Sequence, residues 1–316
     1  MFMRIGIDIG GTTVTVGMLD DNSVINKETI KTYPKDGADK VIKRINLTIQ
    51  SVIDQSGACL SDISHIGIGC AGMLDRSRGT IIYSNNFGWK NVLLKDKIQK
   101  VFPLPVYLEN DANCAALGEY VAGTGKDYNS MVMVTFGTGI GGGIIFDDKL
   151  FRGNNGFSSI IGHLLLVTDG ELCTCGRKGC WEAYGSVNAL VKDAGELADQ
   201  NPDSMLKKLS DRDGELNGKN IFEAIRQNDK AACELFSKFI HYMAEGVTDI
   251  VHVFNPQSII IGGGISEQGE IILEPLRELV LKYTYCGATT MPVIKTASLG
   301  NEAGIVGAAN LDKYHD

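Results

Sequence analysis

The chain has 316 residues, with 30 Lys and Arg against 38 Asp and Glu for a net charge of −8, and with 44% hydrophobic and 22% charged residues. This is the composition of a folded chain of about two domains, each able to bury a core without disulfide staples, and it excludes a disordered or collagen-like polymer. Net acidity without a dense basic stripe leaves no footprint for a nucleic acid or an anionic membrane, so neither is an expected partner, while small anionic ligands stay open. The N-terminus enters an apolar strand pattern without a secretory leader. The most apolar stretches, 131–136 and 259–261, are broken by glycine well before the roughly 20 residues that cross a bilayer. A cytoplasmic protein is expected.

In chain order, residues 3–8 form a short β-branched run, followed by Gly10, Gly11, Thr12 and Thr13 and a second apolar run at 14–19. That layout predicts a β-hairpin with a glycine turn. A helical pattern at 38–55 precedes an apolar strand at 63–69, a Ser- and Asn-rich loop at 84–89 and a strand at 106–108. After Asn110 and Asp111, residues 112–121 have helical composition, with Gly123 as a stop. The opening layout then returns as a strand at 131–135, the loop from Gly137 to Gly143, and a strand at 144–146. Two such copies predict a duplicated α/β architecture with a ligand between its halves. Helices follow at 187–198, 221–227 and 231–253, then a strand at 258–261 ending in Gly262, Gly263 and Gly264, and a last helix from about residue 302. The polar segment 202–218 is expected as a surface loop.

Asp8 ends the first strand just before its glycine turn. Glycines let backbone amides approach phosphate oxygens, hydroxyls donate to them, and a nearby carboxylate can hold Mg²⁺. An ordinary tight turn is the alternative reading of this hairpin alone. In the second loop, Gly137, Gly139 and Gly142 formally match G-x-G-x-x-G, but a strand follows where the dinucleotide fingerprint needs a helix, so a phosphate loop fits better. Asp111, at a strand-to-helix junction, reads as a helix cap, a role Asn110 could share. Its position between the two phosphate loops also suits it to accept a hydroxyl proton in phosphoryl transfer, and the two roles are compatible.

Eight cysteines are present, and Cys173, Cys175 and Cys180 crowd together while the rest are scattered. With His163 they supply four ligands for a closed, structural Zn²⁺ site in a reducing compartment, with Gly176 and Gly179 letting the chain fold back. Three unrelated thiols and a core histidine are the alternative.

These residues together resemble the ROK family of sugar kinases and repressors over nearly the whole chain, and are most similar to its bacterial glucokinase branch. Asp8 to Thr12 resembles the family's first phosphate loop; Gly69, Gly72 and Asp75 resemble its G-x-P-G-x-x-D element, with Ala71 where proline is usual. Asn86 ahead of Trp89, the segment from Asn110 to Asn113, the loop from Gly137 to Gly143, and Gly162 and His163 with the cysteines and Glu182 match further family motifs.

The resemblance implies an α/β, actin-like (ribonuclease-H-like) two-domain ATPase fold with an interdomain cleft. An N-terminal domain at 1–112 would receive a C-terminal helix at about 301–316, and a larger domain at 113–300 would carry the zinc motif. It implies ATP-dependent phosphorylation of a hexose at its C6 hydroxyl, glucose first, with an N-acetylhexosamine kinase or a weakly active sugar-binding protein as alternatives. By the same resemblance Gly10, Gly11, Thr12, Thr13, Gly137, Thr138 and Gly139 hold the ATP phosphates with Mg²⁺ near Asp8. Gly262, Gly263 and Gly264 face the adenosine, Asp111 accepts the proton, and Gly72, Asn86, Asn110, His163 and Glu182 surround the sugar. A homodimer is implied as well. Only seven residues precede Asp8, so the winged helix-turn-helix of the family's repressors is not expected.

One position departs from the pattern. Three residues before His163 the family has a glutamate that bonds hydroxyls on the C1 and C2 side of the sugar, and this chain has Ile160, which accepts no hydrogen bond from its side chain. Glu182 serving that edge alone, a bulkier or less polar substrate group there, and impaired catalysis are the three readings.

Overall fold

Ile5, Ile7 and Ile9 are fully buried along β1 (Met3–Ile9), the central strand of a five-stranded sheet. β1 pairs antiparallel with β2 (Thr13–Asp20), as the glycine hairpin predicts, and β2 with β3 (Ser23–Lys31). On its other side β1 pairs parallel with β4 (Ile63–Cys70), and helix α1 (Ala38–Ser56) lies between β3 and β4 in the chain. A three-stranded antiparallel sheet follows, formed by β5 (Met73–Asp75), β6 (Thr80–Ser84) and β7 (Trp89–Val92). After α2 (Leu94–Gln99), β8 (Val106–Asn110) completes the first sheet in the order β3-β2-β1-β4-β8 and leads directly into α3 (Asp111–Val121).

The second five-stranded sheet has the order β11-β10-β9-β12-β13, with β9 (Met131–Phe136), β10 (Ile140–Phe146), β11 (Lys149–Leu150), β12 (Ser258–Gly262) and β13 (Val293–Thr296). Its helices are α4 (Glu182–Gly185), α5 (Val187–Gln200), α6 (Met205–Asp213), α7 (Gly218–Arg226), α8 (Lys230–Phe254) and α9 (Glu270–Tyr283). Helix α10 (Ala303–Ala309) comes last. The structure is a computed structural model and describes residues 2–154, 156–285 and 291–314. Met1, Cys286 and the last two residues of the expected C-terminal helix lie outside that description.

The chain divides into two compact units, one of 1–133, 143–159 and 297–316, the other of 134–142 and 160–296. In the first, α10 packs on the sheet and on α3 at backbone-contact distance. A Cβ on Gly6 would stand 1.9 Å from the Ile305 carbonyl oxygen, and one on Gly67 1.8 Å from that of Ala308. Only glycine permits this approach. In the second unit the fully buried Trp181 meets Phe136 edge-on with ring centroids 5.5 Å apart and donates its indole N–H to the Tyr242 carbonyl at 2.7 Å.

Two expectations need correction. Segment 202–218, expected as a surface loop, contains α6, whose Leu206 and Leu209 are buried, with Ser204 capping it by accepting from the Lys207 amide. The glycine run from Gly137 to Gly143 is loop only at its start, because β10 begins at Ile140 and takes Gly141 to Gly143 into the sheet.

A carboxylate anchors the returning C-terminal segment to α3. Glu119, with 0% exposure, accepts from the amides of Ser298 (2.9 Å) and Leu299 (2.7 Å) through Oε1 and from that of Thr124 (2.9 Å) through Oε2. Glu119→Ala strips the acceptor from three backbone N–H groups at about 1–3 kcal/mol for each that stays dry. The expected result is a clear drop in the urea midpoint followed by circular dichroism, smaller for Glu119→Gln, which keeps one acceptor oxygen; an unchanged midpoint in Glu119→Ala contradicts the anchor.

Candidate active site

Three parallel strands of the first sheet end at one level. Asp8 on β1 is the register partner of Gly69 on β4, Gly69 that of Glu109 on β8, and Cys70 that of Asn110. Crevices outside the carboxyl ends of parallel strands are where α/β sheets bind ligands. Gly69 lets the start of α3 pack close to this edge: a Cβ there would lie 3.1 Å from the Cys114 sulfur and 3.6 Å from the Asp111 Cα. Burial first, and the Asp111 carboxylate second, push the Asp8 carboxyl up to about 7. Burial also raises the Asp111 carboxyl, against hydrogen bonds that favour its charged form.

The helix cap falls to Asn110, whose Oδ1 accepts from the Ala112 amide at 3.0 Å and the Asn113 amide at 3.2 Å. Asp111, for which the cap was one reading, is instead the first residue of α3.

In the first glycine turn, the Gly10 amide donates to the Thr13 carbonyl at 2.9 Å. Thr32 braces the turn, its amide donating to the Thr12 carbonyl at 2.9 Å and its hydroxyl to the Gly10 carbonyl at 2.7 Å. Gly11, Thr12 and Thr13 are left exposed at the tip. Asn86, exposed in the turn between β6 and β7, lies beside this tip, with its Cβ 3.8 Å from a Cβ built on Gly11. Gly72 stands just before β5, against the Tyr83 carbonyl.

Glu109 escaped the sequence reading. It is 1% exposed at the end of β8, and its carboxylate accepts from the Arg152 Nε at 2.6 Å, the Arg76 Nη1 at 3.2 Å, the Asn110 amide at 2.9 Å and the Asn113 Nδ2 at 3.1 Å. The two arginines lie far away in the chain, and no local spacing announces them.

In the second unit, the turn at Gly137, Thr138 and Gly139 is closed by the Gly137 amide donating to the Gly139 carbonyl at 2.9 Å. The Gly137 carbonyl in turn accepts from the Val187 amide at 2.9 Å. Glu182 joins this loop to the cysteine motif: Oε2 accepts from the Ile140 amide at 3.0 Å and Oε1 from the Thr174 hydroxyl at 3.0 Å. Gly262 ends β12, and Gly263 and Gly264 form the turn after it. His163 sits in a 3-10 turn at Ile161–His163, with Ile160 immediately before it and 54% exposed.

The metal-ligand set comes together. The donor atoms of His163, Cys173, Cys175 and Cys180 all lie within 4.8 Å of one another, with Cys173 Sγ 3.6 Å from His163 Nδ1 and Cys175 Sγ 3.7 Å from Cys180 Sγ. Zn–S bonds of about 2.3 Å imply tetrahedral edges of roughly 3.8 Å, so the donors fit that ion. Burial, then the neighbouring thiols, push the Cys180 thiol up to about 12, a proton a metal would displace on binding.

The model of the ROK family matches residues 4–314. The chain is 37% identical to a glucokinase of Streptomyces coelicolor, covering 100% of this chain and 99% of that one, and 37% identical to a glucokinase of Thermotoga maritima, covering 98% and 96%. A xylose repressor of Bacillus subtilis is 29% identical, and 97% of this chain covers 76% of it. Among solved structures, a ROK family glucokinase from Streptomyces griseus in complex with glucose and AMPPNP superposes with a TM-score of 0.86 at 37% identity, covering 98% of each chain.

Two measurements test the site without catalysis. Because Asp8 titrates near 7 in the folded chain against an ordinary 3.8, the stability tied to its proton is whole below 3.8 and lost as pH rises through about 7. A divalent cation there offsets the charge, so millimolar Mg²⁺ should raise the melting temperature more at about pH 8 than at about pH 5.5. An equal rise at both pH values, or an undiminished rise in Asp8→Asn, contradicts a cation at Asp8. Elemental analysis of the purified protein should find about one zinc per chain, lost in Cys175→Ser; absence of zinc together with freely titrating thiols dismisses the ligand set.

Proposed function

The chain belongs to the ROK family, and from that membership and its site we propose that it is an ATP-dependent glucokinase, transferring a phosphoryl group to the C6 hydroxyl of glucose. The fold is the actin-like, two-domain ATPase fold of that family. The observation that carries the reading is Asp111 itself: a half-buried carboxylate on the first turn of α3, close enough to Asp8 for its charge to raise the Asp8 carboxyl.

Asp111 orients the sugar hydroxyl and accepts its proton as the oxygen attacks the γ-phosphorus. A carboxyl raised by burial is a stronger base than an ordinary one, and a cation held close by would favour its charged form. Asn110, fixed by its capping bonds, and Asn86 offer amide groups to the sugar, with Gly72 keeping a side chain out of the way. His163 and Glu182 are the remaining groups assigned to the sugar. The turns at Gly10, Gly11, Thr12 and Thr13 and at Gly137, Thr138 and Gly139 cradle phosphates with backbone amides and hydroxyls, and Gly262, Gly263 and Gly264 face the adenosine. Mg²⁺ beside Asp8 would neutralise phosphate charge, and Zn²⁺ on His163 and the three cysteines would fix the loop that leads to Glu182.

The exposed Ile160 favours a second reading, in which the substrate carries a less polar group on the sugar edge nearest that residue, as an N-acetylhexosamine does. A coupled ADP-release assay over glucose, mannose, N-acetylglucosamine, N-acetylmannosamine, fructose and allose separates the two: highest kcat/KM with glucose is expected, and activity confined to an amino sugar moves the assignment. Asp111→Asn should fold normally and lose about a hundred- to ten-thousandfold in turnover. Near-normal turnover in that variant removes the base.

A further inference from the structure

We propose that Glu109 is the positioning residue of this site, its buried carboxylate fixing the peptide and the first helical turn that present Asn110 and Asp111. The inference rests on the reading of Asp111 as the base.

The geometry places the carboxylate at a crossing of four segments. It ends β8, and by accepting from the amide of the very next residue, Asn110, at 2.9 Å it sets the direction in which the chain leaves the strand. By accepting from Asn113 Nδ2 at 3.1 Å it ties the same point to the first turn of α3. Asp111 lies between these two attachments and inherits their precision. The Asn110 cap adds a second set of bonds to the same turn, so strand end and helix start behave as one braced corner.

A carboxylate this deeply buried needs compensation, and two guanidinium groups supply it from distant parts of the first unit. Arg152 Nε lies 2.6 Å from Oε2, and the Arg152 Nη2 also donates to the Tyr314 carbonyl. Arg76, in the turn between β5 and β6, lies 3.2 Å from Oε2 and 3.5 Å from Oε1. Gly156 passes close to that guanidinium, a Cβ built there lying 3.1 Å from Arg76 Nη2. The corner bearing Asp111 is thus tied to a hairpin turn, a loop and Tyr314. Displacing a reacting group by about 1 Å costs on the order of a hundredfold in rate, so such bracing is a catalytic requirement.

Glu109→Gln keeps the shape and one acceptor oxygen but gives up the charge that holds both arginines. The expected variant is folded, with kcat lowered about ten- to hundredfold, KM for the sugar raised, and KM for ATP unchanged. Loss of structure alone would lower the active fraction and leave both KM values at wild type. Wild-type kcat and sugar KM in a folded Glu109→Gln overturn the proposal, as does a fall in kcat that follows the melting temperature with both KM values unmoved. If Glu109→Gln does not fold, Asn113→Ala serves in its place: it removes only the bond to Oε1, since the Asn113 Oδ1 accepts none from the protein, and the same split at smaller size is expected. Asp111→Asn, measured alongside, keeps the failures apart. Normal turnover there removes the base and the proposal with it, whereas a dead Asp111→Asn beside a normal Glu109→Gln removes the positioning role alone.

Discussion

Two carboxylates forced together at the ends of parallel strands are the constraint around which the first unit is built. The ladder register sets Asp8 beside Gly69 and Gly69 beside Glu109, and Asp111 follows one residue beyond the strand end. Gly69 lets the start of α3 pack close to β4, and with Asp8 buried there the Asp111 charge raises its proton affinity further. Such a pair works against folding at neutral pH. It persists because the surrounding structure over-determines its place, which is the relation between stability and function expected at active sites.

That surrounding structure is glycine-lined where it must approach and charged where it must hold. Helix α10 lies so close that its Gly304 admits the Asp8 carboxylate: a Cβ there would stand 2.8 Å from Oδ2. Helix α3 is held near both ends by buried glutamates, Glu109 at the start and Glu119 two turns on, the latter gripping the returning segment at Ser298 and Leu299. Neither glutamate is an ornament of the surface, and each satisfies backbone amides that would otherwise be buried without acceptors. In the second unit one carboxylate plays a comparable part, since Glu182 spans from the Ile140 amide to Thr174 within the cysteine motif.

What the sequence discloses and what it withholds divides along physical lines. Strands with buried β-branched runs, the glycine hairpin and long amphipathic α1 and α8 are legible because periodicity and turn chemistry are local. Edge strand β3 is not, since its residues alternate between exposed and half-buried, and the run Ser23–Lys31 is polar enough to pass for loop. Helix α6 hides in a segment whose only apolar anchors are Leu206 and Leu209, and α9 contains Pro275. At the site, the glycine turns, Asp111 and the cysteine cluster announce themselves by spacing. Glu109 does not, because Arg76 and Arg152 reach it through the tertiary fold, and the choice between Asn110 and Asp111 as cap depends on which side chain turns back to the amides.

Ile160 shows how a backbone role and a side-chain role separate at one position. Its carbonyl accepts from the His163 amide at 3.2 Å, closing the turn that delivers the histidine to the three sulfurs. That bond is indifferent to the side chain, so replacing a glutamate with isoleucine keeps the metal-ligand geometry while withdrawing a hydrogen-bond acceptor from the surface beside it. Under the proposed kinase reading, a sugar that needs that acceptor would lose a charged hydrogen bond worth about 1.5 to 3 kcal/mol, a tenfold or greater loss of affinity. A sugar presenting an apolar group on that edge incurs no such cost. The turn that carries His163 can therefore stay fixed while the side chain at position 160 changes.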